Sequence, residues 1–409
     1  MKGFFLLLLF CFPKTIFSQQ AMPLSVQKLI KRNEDPVLFK DARLLVNSLF
    51  EKGFHRWSKD SIINRMLPAV WKERDSIAGL YPGKKKNIQY YYANKISAFS
   101  NGIKSKPQRG EAWKVLADTV LKAMPLPEIN LLSYSPSANL FLENYVENEL
   151  TELFLQAREQ GELLIEKKLG LPIDTIKKRA EKYGEIFLSI IYARAILPEK
   201  LYERYLANQT LDRTGDLELV KSQVIFDQLI KEFPGSRLRN VCKREIGSLE
   251  ADLSKSTGNK NIVFIKNPDS IRSLDSLIAP YKGKVVYLDI WGTWCIPCVA
   301  EMSRHTKPLK DHFRNATQLV FLYLAMENPG NIEKWKEFVL LHNVTGNHIY
   351  KTDKEIEPFW IGLLNTKDVP RAYPAYAIFD RNGKLVTSQA YRPSNGEALY
   401  KQIESVLDE

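Results

Sequence analysis

Cys295 and Cys298 stand three residues apart in the run Trp294-Cys295-Ile296-Pro297-Cys298. That spacing suits exchange of a thiol pair with a disulfide, half of a zinc site, or a structural disulfide in a tight turn. Zinc needs about four ligands. A finger-like spacing would place a second histidine shortly after His312, where Ala316, Thr317 and Gln318 stand instead, and His342 and His348 lie far along the chain from the cysteines. Thiol chemistry is therefore the expectation, with no metal. If a strand leads into a helix at this point, the first sulfur sits at the helix N-terminus, where unpaired N–H groups and the helix dipole favour a thiolate. Cys295 is then the nucleophile, and Cys298, one turn further in, is the shielded thiol that resolves the mixed disulfide. Pro297 suits the first turn, because its missing N–H costs nothing there.

The elements needed to hold this pair are legible around it. The apolar run Val285–Trp291 reads as the strand leading into the helix. Before it come a strand at 262–265 and a helix around 271–278. After it come a strand at 319–326, a helix at 332–341, a short strand at 348–350 and an insert at 354–365. Strands at 375–379 and 385–389 flank Arg381-Asn382-Gly383, a hairpin signal. Ser394 and Glu397 have the spacing of a capping box for a last helix whose Leu399, Ile403 and Val406 would face the sheet. Alternating strands and helices that end in an antiparallel hairpin imply an α/β domain, a central mixed sheet flanked by helices.

Trp-Cys-x-Pro-Cys after a buried strand resembles the thioredoxin superfamily. The run from Gly283 to Trp291, with Glu301 three residues after Cys298, resembles its TlpA/ResA-like branch of exported thiol-disulfide oxidoreductases. The resemblance covers 256–409. It implies a thioredoxin-like fold and roles for further residues. Asp289, six before Cys295, matches a buried acid at the base of the active site, and Glu301 matches an acid one helical turn after the second cysteine. Either carboxylate, in an apolar setting, would have a raised pKa and could accept the proton from Cys298. Their types alone equally allow a strand-end residue with a local hydrogen bond for Asp289 and a solvated helix face for Glu301. Tyr373-Pro374 resembles the family's cis-proline, which offers backbone groups to an extended substrate; Pro370 has the wrong spacing to the following strand. Trp294, with Tyr373 and Pro374, would dock the substrate, although Trp294 and Trp291 also read as core aromatics. Three features depart from the family: Ser303 replaces a proline, moving the expected helix kink towards Pro308; Ile296 is bulky; and the usual opening strand with an Asp-Gly turn is missing.

The remaining sequence bounds the setting. With 409 residues the chain exceeds one ordinary core. Lys2, the apolar run 4–12 and Ile16-Phe17-Ser18 read as a signal peptide over 1–18, too short in its apolar part to span a bilayer. A helical domain of unknown role is expected over 19–255, and the small polar stretch 254–260 marks its boundary with the thioredoxin-like domain at 256–409. Helical spacing is evident at 38–50, 62–71, 113–124, 140–169 and 173–196, and a helical hairpin turns at Pro234-Gly235-Ser236. Cys242, on an apolar face with Leu238, Ile246 and Leu249, reads as a small buried hydrophobe; the alternative is a redox partner.

The formal charge is +12, yet 256–409 balances 19 basic against 17 acidic residues. The excess is spread over helical faces without a compact basic block, which argues against a nucleic-acid surface and allows peripheral contact with a membrane. Taken together, the residues and the resemblance imply an exported, periplasmic catalyst that reduces or exchanges disulfides of other exported proteins. It would need an external electron donor and no metal, flavin or nucleotide cofactor. The same residues could run disulfide oxidation or isomerisation. From a different class comes a scaffold that binds a partner through its helices and uses the thiols to sense or lock it.

Overall fold

In the computed structural model the described residues are 58–104, 117–183, 185–365 and 371–409. The expected signal peptide, the helix at 38–50 and the first part of that at 113–124 lie outside them. Two compact units are distinguishable: the described residues up to Asp216 with Lys221–Glu245, and Leu217–Val220 with Ile246–Glu409.

Among its described residues the first unit has helices and connecting turns and no strand. Its core gathers Tyr92, Phe141, Val146, Tyr205, Leu206 and Ile225, and a second cluster centres on Leu150, Ile165, Leu169 and Leu188. The stretch read as one helix over 140–169 is two, Pro136–Gln160 and Leu163–Leu169. Gly161 breaks it with φ +99°, a conformation that glycine adopts without strain. Ser135 caps the longer helix by accepting from the Ala138 N–H. The hairpin at Pro234-Gly235-Ser236 joins Leu219–Glu232 to Arg239–Thr257. That last helix runs on through Ser254-Lys255-Ser256-Thr257, the start of the small polar stretch read as the domain boundary. Thr257 bonds back to the Leu253 carbonyl, so small polar residues serve here as a final helical turn. Among the described residues no helix is long and apolar enough to cross a membrane.

The second unit is a three-layer α/β domain. Its elements are β1 (Ile262–Phe264), α1 (Leu274–Ile278), β2 (Val285–Trp291), α2 (Ile296–Arg304), α3 (Thr306–His312), β3 (Leu319–Met326), α4 (Ile332–Leu341), β4 (Gly346–Lys351), α5 (Glu357–Leu364), β5 (Ala375–Phe379), β6 (Leu385–Thr387) and α6 (Glu397–Leu407). The sheet order is β1-β4-β3-β2-β5-β6; the first four strands run parallel, and β5 and β6 are antiparallel to their neighbours. Central β2 is buried along its whole length, as its near-continuous apolar sequence demands when helices cover both faces. On one face Tyr287 and Trp291 meet Met302, Leu309, Trp335, Leu399 and Ile403 from α2, α3, α4 and α6. On the other, Val286, Leu288 and Ile290 meet Leu277, Phe359 and Leu363 from α1 and α5. The expected kink falls at His305, between α2 and α3. Pro308 has no N–H with which to continue the α2 ladder, and it is tolerated because it lies in the first turn of α3.

The capping-box expectation for the last helix is overturned. Gly396, with φ +53°, precedes α6, and Ser394 does not bond to Glu397. Its hydroxyl and N–H are both given to Glu301 instead. A charged acceptor forms the stronger hydrogen bond, so the tertiary partner takes precedence over the local one.

Candidate active site

Between β2 and α2 the turn Gly292-Thr293-Trp294 delivers Cys295 to the helix N-cap. Three bonds to the end of β3 and the residue after it fix that turn. Trp294 Nε1 donates to the Met326 carbonyl at 2.9 Å, and Thr293 donates through both its N–H and its hydroxyl to the Glu327 carboxylate. A Cβ on Gly292 would lie 2.8 Å from the Met326 carbonyl oxygen, so the approach of the two strand ends requires glycine.

Cys295 and Cys298 form a disulfide with their Cα atoms 5.2 Å apart. The Cys298 N–H points at Cys295 Sγ across 3.3 Å, the arrangement of an N-cap acceptor. On reduction the same N–H and the positive end of α2 would face a thiolate. Cys295 retains 4% exposure and Cys298 1%, which makes Cys295 the more accessible of the two.

Alternation along β2 points Asp289 to the same face as Tyr287 and Trp291, the face on which the cysteines pack. Asp289 is fully buried in mid-strand, not at a strand end, and its Oδ1 has no hydrogen-bond partner. Burial, and after it the charge of Glu301, pushes its pKa well above the usual carboxylate range. Glu301 is also buried, not solvated, and accepts from the Ser394 N–H at 2.9 Å and the Ser394 hydroxyl at 2.6 Å.

The substrate-docking candidates converge on the same end of the sheet. Tyr373-Pro374 is a cis peptide bond, and the pairing of Ala375 with Ile290 sets Pro374 beside the end of β2. The Tyr373 ring packs edge-on against Trp294 at 5.0 Å and against Trp360 of α5 at 5.3 Å, and Trp360 Nε1 donates to its hydroxyl at 3.1 Å. Trp294 and Ile296 are 44% and 39% exposed, leaving an apolar surface around the disulfide. Trp291 is core, tilted against Phe338. Pro370 lies outside the described residues.

Glu327 was missed in the sequence, where an acid after a strand reads as a loop residue. It is fully buried, and burial raises its pKa while the two bonds from Thr293 hold it down. The pairing of β3 with β2, which no local pattern reveals, is what brings it to the turn. His348 is a core residue bonded to the Val344 carbonyl, with burial lowering its pKa to about 3; His342 packs on Phe338 with its pKa lowered to about 4. Cys242 is buried in the helical core, its thiol facing the Ala207 carbonyl and its pKa raised by burial to about 12, as an inert small hydrophobe requires.

No family model matches the chain. Over 109 residues it is 28% identical to the thiol-disulfide oxidoreductase ResA of Geobacillus thermodenitrificans. The match takes in 26% of this chain and 55% of that protein, so the chain spans about half the length of this curated relative. Among solved structures it is similar to the thioredoxin domain of a thiol-disulfide oxidoreductase from Bacteroides vulgatus, at 19% identity over 31% of this chain and 81% of that one, with a TM-score of 0.26. It is also similar to a thiol:disulfide interchange protein from a Bacteroides species, at 18% identity over 32% and 77%, with a TM-score of 0.26.

Proposed function

We propose that the C-terminal unit of this chain, a thioredoxin-superfamily domain, is a thiol-disulfide oxidoreductase that reduces or exchanges disulfides of other exported proteins. The observation that carries this reading is a disulfide at a helix N-terminus on the same face as a buried carboxyl group whose pKa burial raises. In the reduced protein the Cys295 thiolate attacks a substrate disulfide, forming a mixed disulfide and releasing one substrate thiolate. Cys298 then gives its proton to the ionised fraction of Asp289 and attacks Cys295 Sγ, which expels the second substrate thiolate. The product is the disulfide seen here, and a protonated Asp289 is what that step leaves behind. An external dithiol must reduce the pair again, and no metal, flavin or nucleotide takes part.

Trp294 and Tyr373 would receive the polypeptide flanking the substrate disulfide, through the apolar surface they share with Ile296, with the buried Pro374 presenting backbone to it. Glu301, held by Ser394, stays near Asp289 and favours its protonated form. The functional domain is taken as 256–409, export as directed by 1–18, and the site of action as the periplasm.

A Cys298→Ser chain tests the reading, because the first exchange then has no resolving thiol. Incubated with an extract of exported proteins, it should accumulate partners joined through Cys295 that are released by dithiothreitol. The Cys295→Ser, Cys298→Ser double variant should accumulate none. Partners that stay bound in reductant and also bind the double variant would contradict catalysis and favour the scaffold reading.

A further inference from the structure

Asp289 Oδ1 and Tyr376 Oη are both buried polar atoms without a hydrogen-bond partner. They belong to directly paired residues of β2 and β5, so both side chains leave the sheet on one face, with Cβ atoms about 5 Å apart. One atom is an acceptor and the other a donor. Burying a hydroxyl and a carboxyl unpaired is expensive, and buried groups of this kind are normally satisfied by each other or by an enclosed water. The Tyr376 ring stacks on Tyr287 at 5.7 Å and 14°, which holds it over the diagonal neighbour, and its hydroxyl makes no direct hydrogen bond to Asp289. Resting on the oxidoreductase reading above, we propose that Tyr376 is a positioning residue for the proton acceptor: its hydroxyl donates to one enclosed water that in turn donates to Asp289.

The bond strengthens when Asp289 is ionised, so Tyr376 stabilises the form that accepts the proton of Cys298. Tyr376 keeps its own proton, since burial and then the charges of Asp289 and Glu301 raise its pKa far above neutrality. The other titratable groups around Asp289 are Glu301 from α2, Tyr287 on its own strand and Tyr323, its paired residue on β3; Arg392 acts on Tyr376. Among these, Tyr376 is the one with a buried, unpartnered hydroxyl, on the residue paired with Asp289.

The test follows the Asp289 carboxyl carbon directly by NMR through a pH titration of the full chain, with Asp289→Asn assigning the signal. Tyr376→Phe keeps the ring stack and removes the donor. The midpoint of Asp289 should move up by about one pH unit, a tenfold change in its protonation constant. Replacing Tyr376 by 3-fluorotyrosine, a stronger donor, should move it down and serves if the phenylalanine variant does not fold. An unchanged midpoint, or shifts of the opposite sign, in a folded variant overturns the proposal. Wild-type protein without disulfide-reducing activity would defeat the preceding reading and leave this comparison intact, because the carboxyl group is observed without turnover.

Discussion

Cys295→Ser should lower the rate of disulfide reduction by about a thousandfold or more, measured with the full chain, dithiothreitol and a protein disulfide. A serine at the N-cap would still accept the N–H that now points at Cys295 Sγ, so the fold loses little. Its hydroxyl remains protonated at neutral pH where a thiol in the same place ionises. Cys298 cannot substitute, since it lies one turn deeper and is almost wholly enclosed. Activity retained in this variant would remove the site from the account.

The second large effect is expected from Asp289→Asn, and it has two sides. Burial raises the pKa of Asp289 in the folded chain above the ordinary value at which the unfolded chain releases the proton. The stabilising contribution of this group is therefore complete below the unfolded pKa and is lost as pH rises through the folded one. Asparagine fills the same volume and carries no titratable group. The variant should gain stability relative to the native chain as pH rises, seen as diverging thermal or urea midpoints. Its catalysis should fall by about a hundredfold, because the amide cannot accept the proton of Cys298. The deficit should appear at the resolving step, so that rapid-quench samples show a longer-lived mixed disulfide. Parallel stability curves for the two proteins would contradict a buried carboxyl group with a raised pKa.

Strand bounds were most legible where burial on both faces left near-continuous apolar runs. Val285–Trp291, Leu319–Met326 and Ala375–Phe379 coincide with the runs visible in the sequence. The cysteine turn was legible for a different reason, since its chemistry depends on spacing within a single helical turn. Partner choice was not legible. Ser394 looked like a cap and serves Glu301 instead, and Glu327, an acid after a strand, holds Thr293. Each of these depends on which strands and helices become neighbours, a property of the assembled sheet and not of any local pattern. In the helical unit, periodicity gave the helices but joined two of them across Gly161, because an isolated glycine is tolerated within a helix as well as at its end.

The most direct measurement is the pH dependence of alkylation of the reduced protein, with the two thiols followed separately by mass spectrometry of their peptides. The account predicts that Cys295 reacts first and titrates clearly below the ordinary thiol value of about 8.5, with Cys298 slower and titrating above it. Two thiols that react alike and titrate at or above that value would contradict a thiolate stabilised at the start of α2.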